Sequence, residues 1–176
     1  MIFNLAFNLI SSFLSIYNFF FQEIYYIDLS IIFALIYFII DFFITKKMIY
    51  KIHHIIGIFI SYYSLFYFSP IGKIYANNIL LFEISNIFLN IYECELLKKD
   101  TLLYYLNKVL FVITFFIFRI INGTYYLFKI LELINFDSDY YSYIIINLLS
   151  YILLGMQYFW FYKILNILYK TFFLKN

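Results

Sequence analysis

The stretch Ile31-Ile32-Phe33-Ala34-Leu35-Ile36-Tyr37-Phe38-Ile39-Ile40 is apolar without a break. A membrane β-barrel would show segments of ~10 residues alternating apolar and polar side chains. This run has no such alternation, so it reads as helix. Extended outward it covers residues 24–44, enough for the ~20 residues an α-helix needs to cross a ~30 Å hydrocarbon layer. Comparable runs lie at 2–21, 52–69, 74–92, 102–126 and 140–162. The segments between them, 45–51, 70–73, 93–101 and 127–139, are short and carry most of the charge. The expected fold is therefore all-α: a polytopic bundle of about six transmembrane helices in a single domain, 1–176, with no separate soluble part.

Composition supports the same class. Apolar residues make up 66% of the chain and charged ones only 12%, against roughly 25% charged in a soluble domain. Mean hydropathy is +0.91. One Pro and four Gly leave few helix breakers. A net charge of +2, with charges dispersed rather than blocked, provides no basic field for nucleic acid. The single Cys94 excludes an internal disulfide and a cysteine-based zinc site, so no metal and no cofactor are expected. The first run lacks a preceding basic region and is longer than a signal core of about 7–15 residues, so it reads as a retained helix.

Lys and Arg accumulate on the cytoplasmic side of membrane proteins. With both termini cytosolic, nine basic residues (Lys46, Lys47, Lys51, Lys98, Lys99, Lys108, Lys163, Lys170, Lys175) lie toward the cytosol, and three (Lys73, Arg119, Lys129) lie elsewhere. That asymmetry predicts an even helix count with both ends inside. Outward Tyr and Phe suit lipid and a second subunit equally.

Small and polar residues recur at helical spacing. In the first run Asn4, Asn8, Ser11, Ser15 and Asn18 follow at steps of four, three, four and three. Ser30, Ala34, Tyr37 and Asp41 continue the pattern in the second, and His54, Gly57, Ser61 and Ser64 in the third. The fourth has Glu83, Asn86 and Asn90; the sixth has Asn147, Ser150, Leu154 and Gln157. Such steps place each set on one helix face. Small and polar stripes join helices by close packing and hydrogen bonds, which accounts for the Gly and Ser but less well for ionisable groups.

An ionisable side chain at mid-bilayer costs ~2.5–3.5 kcal/mol on insertion scales, so it turns toward a partner or a wet cavity. Asp41 ends the second run, and His53 and His54 open the third within roughly 10 Å of the same boundary at ~1.5 Å rise per residue. A carboxylate beside an imidazole orients its tautomer, the arrangement of general acid–base chemistry. Glu83 is nine residues before Tyr92, or ~13 Å along its helix. Arg119 does not readily discharge and calls for an anionic or carbonyl partner, with Glu83, Asp41 and a lipid head group as candidates. Lys108 is near enough to the boundary to snorkel.

These residues resemble the TLC-domain family, the TRAM, LAG and CLN group of multi-pass membrane proteins. The resemblance runs from about 7 to 163. It rests on Asp41, the His53-His54 pair, Leu81-Phe82-Glu83-Ile84-Ser85-Asn86-Ile87-Phe88-Leu89-Asn90, and Phe115-Phe116-Ile117-Phe118-Arg119-Ile120. The Glu-x-Ser-x-x-Phe-x-Asn pattern looks most like the small TLC-domain-containing proteins. In the ceramide synthase branch, a His-Asp pair and a second Asp three residues later follow the histidines. Here that stretch reads Phe82, Glu83 and Asn86, and Asn8 stands where relatives often have His.

The resemblance implies a lipid-handling protein, with the endoplasmic reticulum as its expected membrane. Such a protein binds an acyl chain or lipid head group in the bundle interior through Asn8, Asn86, Asn90 and Arg119, and influences membrane lipid composition. The alternative it implies is acyl transfer from acyl-CoA to a long-chain amine, with His53 or His54 as base or nucleophile, Asp41 as orienter and Glu83 as second acid–base group. The reduced motif argues against that enzyme. A third reading is a proton or ion transporter, because intramembrane Asp, Glu, His and Arg form relays; no inverted repeat accompanies them.

Overall fold

A computed structural model describes residues 2–99, 101–137 and 140–173. Among them are six helical segments and no strand. The segments are α1 (Ile2–Phe21), α2 (Ile24–Ile44) and α3 (Met48–Tyr67), followed by α4 (Pro70–Ile79, a 3₁₀ turn Leu80–Phe82, then Glu83–Glu93). Then come α5 (Leu102–Thr114, a π segment Phe115–Asn122, then Gly123–Asp137) and α6 (Tyr140–Phe173).

The exterior of this bundle is apolar. Phe13, Phe20 and Phe43 are 69%, 73% and 76% exposed. Inside lie Asn8, Ser11, Ser15, Asn18, Glu83, Arg119 and Gln157, beside an aliphatic core of Ile27, Ile31, Ile130 and Ile146. An apolar surface of this extent fits a protein embedded in a membrane. Among the described residues, five helices are long and apolar enough to cross a membrane: Asn4–Phe21, Ile24–Ile44, Pro70–Glu93, Leu102–Leu133 and Ile144–Lys170. Helix α3 has the length but is diluted by Lys51, the histidines and its tyrosines. Its outward face, Met48, Ile52, Ile55, Phe59, Tyr62 and Phe66, is nonetheless apolar at steps of four and three. It packs most extensively on α2, with Phe38 so close to Gly57 that a Cβ there would lie 2.7 Å from the ring.

The number of helices matches the sequence expectation, but four boundaries move. Helix α3 begins at Met48 rather than 52. Residues 70–73, expected as a connection, form the first turn of α4: Pro70 needs no donor at the first helical position, and Ser69 caps the turn by accepting from Gly72 N at 3.3 Å. Residues 127–137, also expected outside a helix, continue α5. Leu127, Ile130 and Leu131 bury in the core, while Lys129 and Glu132 pair across one turn at 2.7 Å on the outer face, so the charges decorate the helix without ending it. Helix α6 runs to Phe173, well beyond 162. At the α4–α5 turn, Glu95 takes a left-handed φ of 51°, and Thr101 caps α5 by accepting from Tyr104 N at 3.3 Å.

Helices α1 and α2 run antiparallel. Asn4 at the start of one meets Asp41 near the end of the other, and Asn18 at the far end of α1 donates to the Tyr26 carbonyl at 2.9 Å. Lys73 reaches back from α4 to Asp28 at the start of α2, 2.8 Å away. The bundle thus has one end carrying Asp41 and the α2–α3 turn, and an opposite end carrying Asp28 and Lys73.

Candidate functional site

Asp41 lies on the inner face of α2 together with Ser30, Ala34 and Tyr37. The three-residue turn after α2 folds α3 back, so that His54 Nε2 comes to 2.8 Å from Asp41 Oδ2. Asn4 Nδ2 donates to the other carboxylate oxygen at 3.4 Å. Both Asp41 and His54 are buried. His54 is walled by Tyr37, edge-on with ring centres 6.1 Å apart, and by Phe38 at 5.8 Å. Its Nδ1 is buried with no hydrogen-bond partner among the described residues.

The neighbouring histidine is differently placed. His53 makes edge contacts with Phe38 and Trp160, centres 6.0 and 5.4 Å apart, and lies 5.5 Å from the His54 ring. Consecutive residues on a helix point about 100° apart, so only one of the two faces the carboxylate. The sequence does not single out Trp160, because it lies in the aromatic run Tyr158-Phe159-Trp160-Phe161-Tyr162 and nothing in that run says which ring turns inward.

A second cluster surrounds Arg119. Its Nε donates to Ser85 Oγ at 2.8 Å, Nη1 to Gln157 Oε1 at 3.0 Å, and Nη2 to Asn86 Oδ1 at 2.7 Å. The guanidinium carbon also lies 5.6 and 5.1 Å from the ring centres of Phe82 and Phe115, within cation–π range. Three of the five guanidinium N–H groups therefore meet neutral oxygens, two of them side-chain carbonyls of the kind the sequence calls for, and none of the three meets a carboxylate. Glu83 is reached through Asn86, whose Nδ2 donates to Glu83 Oε2 at 2.7 Å. An amide in this position accepts from the guanidinium and donates to the carboxyl oxygen, so Arg119 and Glu83 are linked without touching. Charge-assisted hydrogen bonds contribute ~1.5–3 kcal/mol each, so three of them are enough to offset the ~2.5–3.5 kcal/mol insertion cost of an arginine.

Helix irregularities hold this cluster in register. Thr114 Oγ1 donates to the Leu110 carbonyl at 2.7 Å and to that of Phe111 at 3.2 Å, just before the π segment that carries Arg119. Side-chain competition for helix carbonyls is a known source of helix distortion, and π bulges concentrate at functional sites. Across the interface, the 3₁₀ turn presents Phe82 to Gly123, where a Cβ would lie 2.4 Å from ring atoms. Only glycine admits that approach. Ser85 Oγ donates to the Phe82 carbonyl at 2.8 Å, which leaves its lone pairs for Arg119.

The two clusters adjoin: Glu83 is within Coulombic range of Arg119, His54 and Asp41. Asp41, His54, Glu83, Asn86 and Arg119 therefore gather in one interior region, while His53 stands at its aromatic margin. Asn90 does not join them; its Nδ2 donates to the Asn86 carbonyl one turn back at 2.9 Å. Asn8 is buried on α1, and its Oδ1 has no hydrogen-bond partner among the described residues. A separate cavity of about 180 Å³ opens at the α4–α5 turn, lined by Tyr92, Glu93, Glu95, Lys99 and Tyr104 among others.

The TLC domain, as a family, matches residues 2–166. The chain belongs to the TLC-domain family. A TLC domain-containing protein of Acanthamoeba polyphaga mimivirus is 33% identical to it over 145 residues, 77% of this chain and 70% of that protein. No solved structure matches it. The TLC-domain match embraces both clusters, so Asp41, His54, Glu83 and Arg119 are features of the domain itself rather than of an appended segment.

Proposed function

We propose that this TLC-domain membrane protein binds a membrane lipid in the interior of its bundle, at the end marked by Asp41, and thereby influences the lipid composition of its membrane, with the endoplasmic reticulum as its site and both termini in the cytosol. The observation that carries the reading is the buried Asp41–His54 pair adjoining the Glu83–Asn86–Arg119 chain. Polar groups at bilayer depth are costly and tend to mark a functional site. Here both charge signs and a hydrogen-bonding imidazole stand together, which suits the polar head of a lipid whose acyl chain lies between the apolar helices.

The test is native extraction. The protein is purified in a polymer nanodisc and its bound lipids are identified by mass spectrometry, alongside an Asp41→Asn/His54→Gln variant. Enrichment of one lipid class over the surrounding membrane, lost in the variant, supports the reading. Identical lipid profiles for both proteins and the bulk membrane refute it.

The Asp41–His54 geometry also favours a second reading, an N-acyltransferase using acyl-CoA. Asp41 occupies Nε2 and leaves Nδ1 to take the proton of a long-chain amine as its nitrogen attacks the thioester carbonyl and the thiolate of CoA departs. Product formation from acyl-CoA and a sphingoid amine that disappears in a His53→Ala/His54→Ala double variant would establish it.

A further inference from the structure

Helix α1 carries a buried polar ladder whose members are not satisfied by one another. Asn8, Ser11, Ser12 and Asn18 are at most 3% exposed, yet Asn8 Oδ1, Ser11 Oγ, Ser12 Oγ and Asn18 Oδ1 have no hydrogen-bond partner among the described residues. Facing them on α4, Asn77 accepts from Asn18 at 3.4 Å while its own Nδ2 is unpartnered. Ser15 and Ser30 meet at 3.5 Å between these groups. Within a bilayer such atoms have no lipid partner, and water is the group that satisfies buried polar atoms the chain leaves over.

The ladder has titratable pairs at both ends. At one end Asn4 touches Asp41, which holds His54. At the other, Asn18 and Asn77 lie at the end where Lys73 holds Asp28, with the Asp28 side chain 35% exposed. Asp28 and Asp41 are thirteen residues apart on α2, or ~20 Å along its axis. We propose that the seam of α1 with α2 and α4 is a water-lined proton path joining the Asp28–Lys73 pair to the Asp41–His54 pair.

A proton taken up at one pair is passed along waters anchored by the seryl hydroxyls, which both donate and accept, and by the asparagine amides. It is released at the other pair, so no group changes its protonation over a cycle and the gradient sets the direction. Asp41 faces His54 of α3 and Asn4 of α1, with Glu83 of α4 in Coulombic range of it and of Arg119 of α5; Asp28 faces Lys73 of α4. The seam has no carboxylate between its ends, and Phe7 is stacked on Tyr37 with centres 3.7 Å apart beside Asn8. Neutral walls and an aromatic constriction suit a file of water and disfavour a hydrated metal cation. The proposal is independent of the lipid reading.

The full chain is reconstituted in phosphatidylcholine vesicles loaded with a pH-reporting dye, and a potassium diffusion potential is imposed with valinomycin. The expected result is internal acidification faster than in protein-free vesicles, lost in Ser11→Leu and in Asp28→Asn and retained in Lys129→Gln, on the outer face of α5. Thermal unfolding in detergent identifies any variant that fails to fold. Should Ser11→Leu do so, Asp28→Asn decides alone, being at the partly exposed end. Acidification no faster than in protein-free vesicles, or flux retained in a folded Asp28→Asn, overturns the proposal. So does sodium flux equal to the proton flux in vesicles loaded with a sodium dye.

Discussion

The Arg119 cluster and the α1 seam are both polar, both buried and close together, yet they solve opposite problems. Arg119 brings a permanent charge, and the helices around it supply an oxygen for Nε and for each terminal nitrogen. The seam is uncharged, and several of its oxygens have no hydrogen-bond partner among the described residues. A charge in low dielectric leaves the fold no choice but to build partners, whereas a neutral hydroxyl or amide can be left to solvent. Polar burial in this bundle therefore has a part satisfied by the surrounding helices and a part that is not, which the proton-path proposal assigns to water.

Substitution should separate the two. Arg119→Leu strands Ser85, Asn86, Gln157 and the Glu83 carboxylate, and loss of one member of a buried charge network costs ~3–5 kcal/mol; thermal unfolding in detergent should show this as the largest effect. Gly123→Ala drives a methyl into Phe82, for about 1–3 kcal/mol, and a Gly123→Ala/Phe82→Leu double variant should recover part of the loss if that clash is the cause. His54→Ala leaves Asp41 with only Asn4 and should cost ~1–3 kcal/mol, more than His53→Ala, which forfeits aromatic contacts of about 0.5–1.5 kcal/mol. Equal losses for the two histidines would contradict the geometry. Ser12→Ala removes a hydroxyl with no partner and should lie within ~0.5 kcal/mol of the parent. A large loss there would place the seam with the satisfied part and erase the contrast.

Much of this arrangement was legible in the residues. The ladder of Asn4, Asn8, Ser11, Ser15 and Asn18 identified the inner face of α1, because a fixed rotation per residue converts spacing into a face. The proximity of Asp41 to the histidines followed from a short turn and a known rise. Other features were not legible. Residues 127–137 looked like a charged connection because Lys129 and Glu132 are visible in sequence and their outward direction is not. The partners of Arg119 come from α4 and α6, and spacing within α5 carries no information about either.

By itself, then, the amino-acid order determined a lipid-embedded bundle of about six helices and which side chains turn inward, since length, hydropathy and helical period are properties of one segment at a time. Tertiary structure decided that His54 rather than His53 holds Asp41, that Asn86 stands between Arg119 and Glu83, and that a π segment in α5 faces a 3₁₀ turn in α4. Those outcomes depend on how far each helix is rotated and shifted against its neighbours, a quantity set by packing between segments distant in the chain.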